Sequence, residues 1–195
     1  MFYGGKDQSY LVWPVRGLSG DALLATGQEG CFDAQGREVP CRGTGQDGEL
    51  RTGRIWPAPR FLTCGDAVLD RLTGLRWRRR ADLTGNPVDW EEALAAVGEL
   101  NRAEPNEAAL WCLPNINELE SLVDCARHAP ALSAGHPFEG VQAGYWSCTT
   151  SAFEPDWAWA LYLDKGAVGV GQKGGRHFHV WAVRAGSGVL TAILS

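Results

Sequence analysis

His177 and His179 stand two residues apart in a segment that reads as a strand, so both imidazoles leave the same face. That spacing could seed a metal site, but no third ligand is evident, and exposed or hydrogen-bonded strand histidines are the simpler reading. Their neighbours suit different chemistry. Lys173 and Arg176, together with Lys165, would make a small positive loop surface for sulfate or carboxylate groups. Trp157 offers an indole face on which a sugar ring can stack. Arg78-Arg79-Arg80 could add to the charge, although such a run usually marks a solvated face. No Ser/His/Asp ordering, phosphate-binding loop or paired-carboxylate signature stands out. The expectation is therefore a binding protein, not an enzyme, with no metal site and no cofactor.

These side chains need a frame, and hydropathy periods supply one. Arg60–Thr63 and Ala67–Asp70 read as a hairpin about Gly65-Asp66. Leu75-Arg76-Trp77-Arg78 alternates, which predicts Leu75 and Trp77 inward and the arginines towards water. Asp89 followed by Glu92 is a capping box, and Trp90, Leu94, Val97 and Leu100 give the apolar stripe of a helix to about residue 101. Asn115 and Glu118 repeat the signal for a second helix, with Ile116, Leu119, Leu122, Val123 and Ala126 on its buried face. Leu110–Leu113 reads as a short extended lead-in, and further strands are expected at Tyr145–Thr149, Trp157–Leu163, Ala167–Val170 and Phe178–Val183. Strands, two helices, then strands imply an α+β fold on a mainly antiparallel sheet.

Composition narrows the class. The chain has 195 residues and 45% hydrophobic content, ordinary for one globular core, but 25 glycines and nine tryptophans suit a loop-rich fold pinned by aromatic anchors. A net charge of −5 argues against a dedicated nucleic-acid binder. No apolar run is long enough to cross a bilayer, so no membrane insertion is expected, and the first residues lack a secretory signal. Cys31 and Cys41 flank the turn signal Asp33-Ala34-Gln35-Gly36 and could be joined in a local hairpin. Cys64, Cys112, Cys125 and Cys148 sit among apolar neighbours and read as buried small hydrophobes. Val12-Trp13-x-Val15-Arg16-x-x-Ser19-Gly20 returns at one constant offset as Val180-Trp181-x-Val183-Arg184-x-x-Ser187-Gly188. The expected organisation is thus a remnant over residues 1–20 resembling the closing strand of a preceding module, a loop-rich leader over 21–59, a domain over 60–188 and a tail over 189–195.

Trp111-Cys112-Leu113-Pro114-Asn115-x-Asn117-Glu118-Leu119-Glu120-Ser121-Leu122-Val123-Asp124 resembles the C-terminal domain family of the Legionella collagen-like adhesin. Leu72-Thr73-Gly74-Leu75-x-Trp77, Tyr145-Trp146-Ser147-x-Thr149-Thr150 and Val180-Trp181-x-Val183-Arg184 agree with it in order, and the likeness covers about residues 26–186. The resemblance implies a C-type-lectin-like fold, two helices packed on a twisted antiparallel sheet, with long loops forming one binding surface. It also implies surface or extracellular display, and the adhesin that names the family binds sulfated polysaccharides. The chain departs from the family pattern at Cys112, where Arg is usual, and at Cys148, where Ser is usual; the implied fold leaves both a Cys112–Cys148 bridge and two free thiols open.

Glu104-Pro105-Asn106 matches the calcium-dependent sugar motif of true C-type lectins, but it falls after the first helix instead of in the long loop after the second. Glu154-Pro155-Asp156 lies nearer that loop and lacks a Trp-Asn-Asp partner. The sequence therefore points to a non-enzymatic module recognising an anionic glycan or a surface protein through loops 143–176, with Trp157, Lys165, Lys173, Arg176, His177 and His179 as contacts. Two alternatives stand beside it: a hypervariable protein-binding scaffold of a diversity-generating retroelement, and a spacer in a tandem array. The oligomeric state is open.

Overall fold

The computed structural model describes residues 6, 8–15, 23–105 and 110–186. In chain order the elements are β1 (Cys31–Phe32), β2 (Glu38–Val39), α1 (Asp47–Leu50), β3 (Phe61–Cys64), β4 (Ala67–Asp70), β5 (Leu75–Arg78), α2 (Trp90–Ala103), α3 (Ile116–Glu120), β6 (Gly144–Thr150), β7 (Trp157–Tyr162), β8 (Ala167–Gln172) and β9 (Val183–Ala185). The class is α+β, as expected.

Both capping boxes form. Asp89 accepts from the Glu92 amide at 2.9 Å while Glu92 accepts from the Asp89 amide at 3.2 Å, and α2 starts there. Asn115 and Glu118 do the same for α3. That second helix is much shorter than its apolar stripe suggests. The amides of Asp124 and Cys125 bond to the carbonyls of Ala131 and Thr26, partners from a loop and from the leader, so the helical ladder ends. Leu119, Leu122 and Val123 remain buried, but Ala126 is exposed. Leu94 of α2 is also half in water, against expectation.

The strands form three antiparallel sheets instead of one: β1-β2, β3-β4-β5-β9 and β6-β7-β8. The divide falls in the stretch expected to be the strand Phe178–Val183. There Phe178, Val180, Trp181, Ala182 and Val183 are all buried, so the segment runs through the core instead of lining one wet sheet face. It touches its surroundings by single bridges, Val88 with Phe178 and Tyr145 with His179, before β9 pairs with β5. Trp181 sits centrally, its ring 5.2 Å from Trp77, 4.7 Å from Phe138 and 5.1 Å from Tyr145. Indole N–H groups also fasten loops: Trp181 donates to the Arg78 carbonyl at 2.8 Å and Trp146 to that of Val88 at 2.9 Å.

The leader is more ordered than a loop. Cys31 and Cys41 are disulfide-bonded across β1-β2. Glu49 accepts from the amides of Gly43 at 2.5 Å and Gly45 at 2.7 Å, closing the turn before α1. Trp56 donates to the Ala25 carbonyl at 2.8 Å, and Arg54 to that of Leu72 at 2.7 Å, which fixes the leader to the sheet. The four other cysteines are free and exposed, contrary to the buried reading, and no Cys112–Cys148 bridge is formed. Cys112 alternates with buried Trp111 and Leu113, so its thiol faces outward.

Within the expected remnant, residues 8–15 form neither helix nor strand, and Val12, Trp13 and Val15 are 88%, 91% and 93% exposed. Residues 1–5, 7 and 16–20 of that remnant, and the tail 189–195, lie outside the described residues. Among the described residues no helix is long and apolar enough to cross a membrane.

Candidate functional site

The hairpin β7–β8 pairs Trp157 with Gln172 at one end and Tyr162 with Ala167 at the other. A cleft of about 420 Å³ opens beside it, lined by Trp157, Tyr162, Asp164, Gln172, His177 and Phe178 among others. Phe178 is its aromatic floor, packed 4.6 Å from Trp146 and 5.2 Å, edge-on, from Tyr162. Two glycines make room for that ring. A Cβ on Gly171 would fall 2.3 Å from Phe178 and 2.8 Å from Trp146, and one on Gly144 would fall 3.0 Å from Phe178. The backbone therefore approaches the aromatic floor more closely than any side chain would permit.

Polar groups converge on this cleft. The Asp164 amide donates to Ala143 at 3.2 Å, its carbonyl accepts from Ala129 at 2.8 Å, and its buried Oδ1 receives no hydrogen bond. Tyr162 donates to the Val170 carbonyl at 3.2 Å. Burial first, and then the Asp164 charge, push the Tyr162 phenol above its usual range, so it stays a neutral donor. Among the described residues no Lys or Arg lines the cleft.

Of the six residues singled out in the sequence, Trp157 and His177 meet here. The other four do not join them. Lys173 donates to Thr150 Oγ1 at 2.9 Å and lies 4.1 Å over the Trp90 ring. Arg176 pairs with Glu92 and stands 4.0 Å from Asp89, so both cations serve the first turn of α2. Lys165 sits in the turn between β7 and β8, at the far end of the hairpin from Lys173, about 20 Å away at the usual strand rise. The shared positive surface expected of these three is thus not assembled. His179 is half-buried, its Nδ1 3.2 Å from Asp82 but not aligned for a hydrogen bond. Among the described residues no group of three or more His, Cys, Asp and Glu is placed to hold a metal ion.

The remaining motifs have structural partners. Glu104 ends α2, pairs with Arg78 at 3.0 Å and accepts from Trp111 Nε1 at 3.1 Å; Asn106 lies outside the described residues. Arg79 pairs with Glu139 at 3.4 Å. Sequence reasoning missed Tyr162, Asp164, Gln172 and Phe178. The available signal was the pair of glycines, Gly169 and Gly171, alternating on one strand shortly before an aromatic residue.

Fold and cleft together define an α+β module with an open, aromatic-floored cleft beside a three-stranded sheet. Residues 66–184 match the family model described as the Lcl C-terminal domain, and the chain belongs to that family, a membership consistent with an adhesin-like module. No curated protein and no solved structure matches the chain. The family match takes in every residue named at the cleft and leaves out the leader.

Proposed function

We propose that this chain is a non-catalytic recognition module of C-type-lectin-like architecture that binds a glycan in the cleft at Trp157 and His177. The observation that carries the reading is the composition of the cleft itself. It combines aromatic surface with a carboxylate, an amide, an imidazole and a phenol, the mixture that sugar hydroxyls and C–H faces require. With one carboxylate and no Lys or Arg among the described residues that line it, it would grip hydroxyls and not acidic substituents. A single carboxylate is also too few oxygens for calcium, so binding is expected to be independent of that ion. The Cys31–Cys41 disulfide supports display in an oxidising, extracellular setting.

The test is a glycan array run in calcium and in chelator, with the native chain and Trp157→Ala. The reading expects the same glycans in both buffers and a loss of about tenfold or more on truncating the indole. Signal at background for every glycan sinks it. A second reading, a spacer in a tandem array, draws on Val12, Trp13 and Val15. These stand in water, whereas their counterparts Val180, Trp181 and Val183 are buried. A complete module encoded upstream supports it, and its absence removes it.

A further inference from the structure

Val12, Trp13 and Val15 repeat the residues that Val180, Trp181 and Val183 bring to the core, and Tyr10 stands where the same offset places Phe178. The two copies meet opposite fates. Phe178, Val180, Trp181, Ala182 and Val183 are buried, whereas Tyr10, Leu11, Val12, Trp13 and Val15 are all exposed. So much contiguous apolar surface on one short segment marks a contact site. Lys6 donates to the carbonyls of Phe32 at 3.2 Å and Asp33 at 2.9 Å, so the segment leaves from a fixed point on the leader hairpin. The exposed copy lies outside the family match, and the buried copy lies within it.

The slot that holds the buried copy shows what the exposed one is shaped to fill. Trp181 fits among Trp77, Phe138 and Tyr145, and its indole N–H donates to the Arg78 carbonyl at 2.8 Å. The carbonyls of Phe178, Val180 and Ala182 accept from the amides of Val88 at 3.0 Å, Leu83 at 2.9 Å and Arg78 at 3.0 Å. The amides of His179 and Val183 donate to Gly144 and Cys112, each at 3.0 Å. The exposed copy can make each of these bonds. Leu11 and Val15 supply the two amides, and Pro14, which has no N–H, matches Ala182, which serves through its carbonyl. Pro14 also favours an extended backbone at Trp13. The side chains differ modestly: Tyr10 adds a hydroxyl at the Phe178 position, Leu11 replaces half-buried His179, and the Pro14 ring is larger than the buried Ala182 methyl.

We propose that residues 10–15 are a donor strand, which closes the core of a second Lcl C-terminal domain whose own closing strand is absent, by entering the slot that residues 178–183 fill in this chain. In a native copy of this chain the slot is already held by a strand of the same polypeptide, whose tether gives it a high effective concentration. The segment therefore stays outside that slot and is reserved for an open partner. Donation does not require the Trp157 cleft to bind a glycan. It also fails separately from the tandem-array reading, since upstream sequence decides the array and strand binding decides donation.

The experiment has two arms, both on the full chain. The first writes the exposed copy into the slot with Phe178→Tyr, His179→Leu and Ala182→Pro together, since Val180, Trp181 and Val183 already match. A cooperative melt within about 12 °C of the native chain is expected, the effect of modest overpacking. Loss of the cooperative melt overturns the proposal. The second arm silences both copies with Trp13→Ser, Val180→Ser and Trp181→Ser, then adds a synthetic peptide of residues 8–20. Near-ultraviolet circular dichroism should regain native signal with this peptide and not with its Trp13→Ser version, while the native chain, its slot filled, should not respond. The Trp13 indole N–H of the bound peptide should exchange slowly with solvent, because it takes the place of Trp181 on the Arg78 carbonyl. No gain of signal, an equal gain with the Trp13→Ser peptide, or a freely exchanging indole overturns the proposal and leaves the Trp157 cleft standing.

Discussion

Replacing Arg60 by Met should destabilise the protein by about 3–5 kcal/mol, because it strands a buried carboxylate. Arg60 and Asp70 are 4% and 0% exposed at their side chains, and two parallel bonds join them: Nε to Oδ1 at 3.0 Å and Nη2 to Oδ2 at 2.8 Å. Arg60 Nη2 also donates to the Ser121 carbonyl at 2.6 Å, and the guanidinium stacks 4.5 Å over Trp56. One side chain therefore joins β4, the end of α3 and the leader. After its removal Asp70 keeps only the Leu72 amide at 3.0 Å and the Thr73 hydroxyl at 3.1 Å. That residue of partners places the cost near the lower bound, about 3 kcal/mol, or a fall in melting temperature of about 6–12 °C for a chain of this size. In Arg60→Met with Asp70→Asn the charge is gone while the amide oxygen still serves Leu72. The double variant should recover at least half the loss. Differential scanning calorimetry on the native chain and the two variants settles it. A single variant melting within a degree of the native chain, or a double variant melting lower than the single, refutes the reasoning.

Gly171→Ala should cost about 1–3 kcal/mol and distort the cleft, since the new methyl meets Phe178 at 2.3 Å; urea melts and loss of array signal check both effects together. Reduction of Cys31–Cys41, which closes a ten-residue separation, should lower stability by about 2–3 kcal/mol on the chain-entropy account; a melt in reductant unchanged from the Cys31→Ser melt ties the loss to this bridge. Glu49 has its carboxyl held below the usual range by the Gly43 amide first and the Gly45 amide next. A depressed folded pKa means stability present above the unfolded value, about 4.3, and lost as pH falls through the folded one. Amide protection at Gly43 and Gly45 should therefore persist at pH 5 and disappear on further acidification, whereas Glu49→Gln should flatten that dependence.

Local signals were legible and non-local ones were not. Asp89 with Glu92 and Asn115 with Glu118 announced both helix starts, because a capping box is complete within four residues. Gly65-Asp66 placed the β3–β4 hairpin, and Trp77, Trp111 and Trp181 are core anchors as their apolar surroundings suggest. The length of α3 was hidden, since its end depends on Thr26, some hundred residues away, taking the Cys125 amide. Lys173 and Arg176 looked available, yet the first turn of α2 claims both across the fold, the Trp90 ring taking Lys173 and the Glu92 carboxylate taking Arg176. The cleft escaped notice for a similar reason. Its floor needs Gly144 and Gly171 on either side of Phe178, and nothing in the sequence states that these three meet.

The most direct measurement is the Trp157 indole N–H resonance, followed in an NMR titration with the glycan that gives the strongest array signal. Saturable shifts at Trp157, accompanied by the amides of Asp164, Gln172 and His177 and absent from the buried indole of Trp181, are the result this account predicts. Saturable binding that leaves these four residues unmoved would contradict it, because the ligand would then be held somewhere other than the cleft the fold constructs.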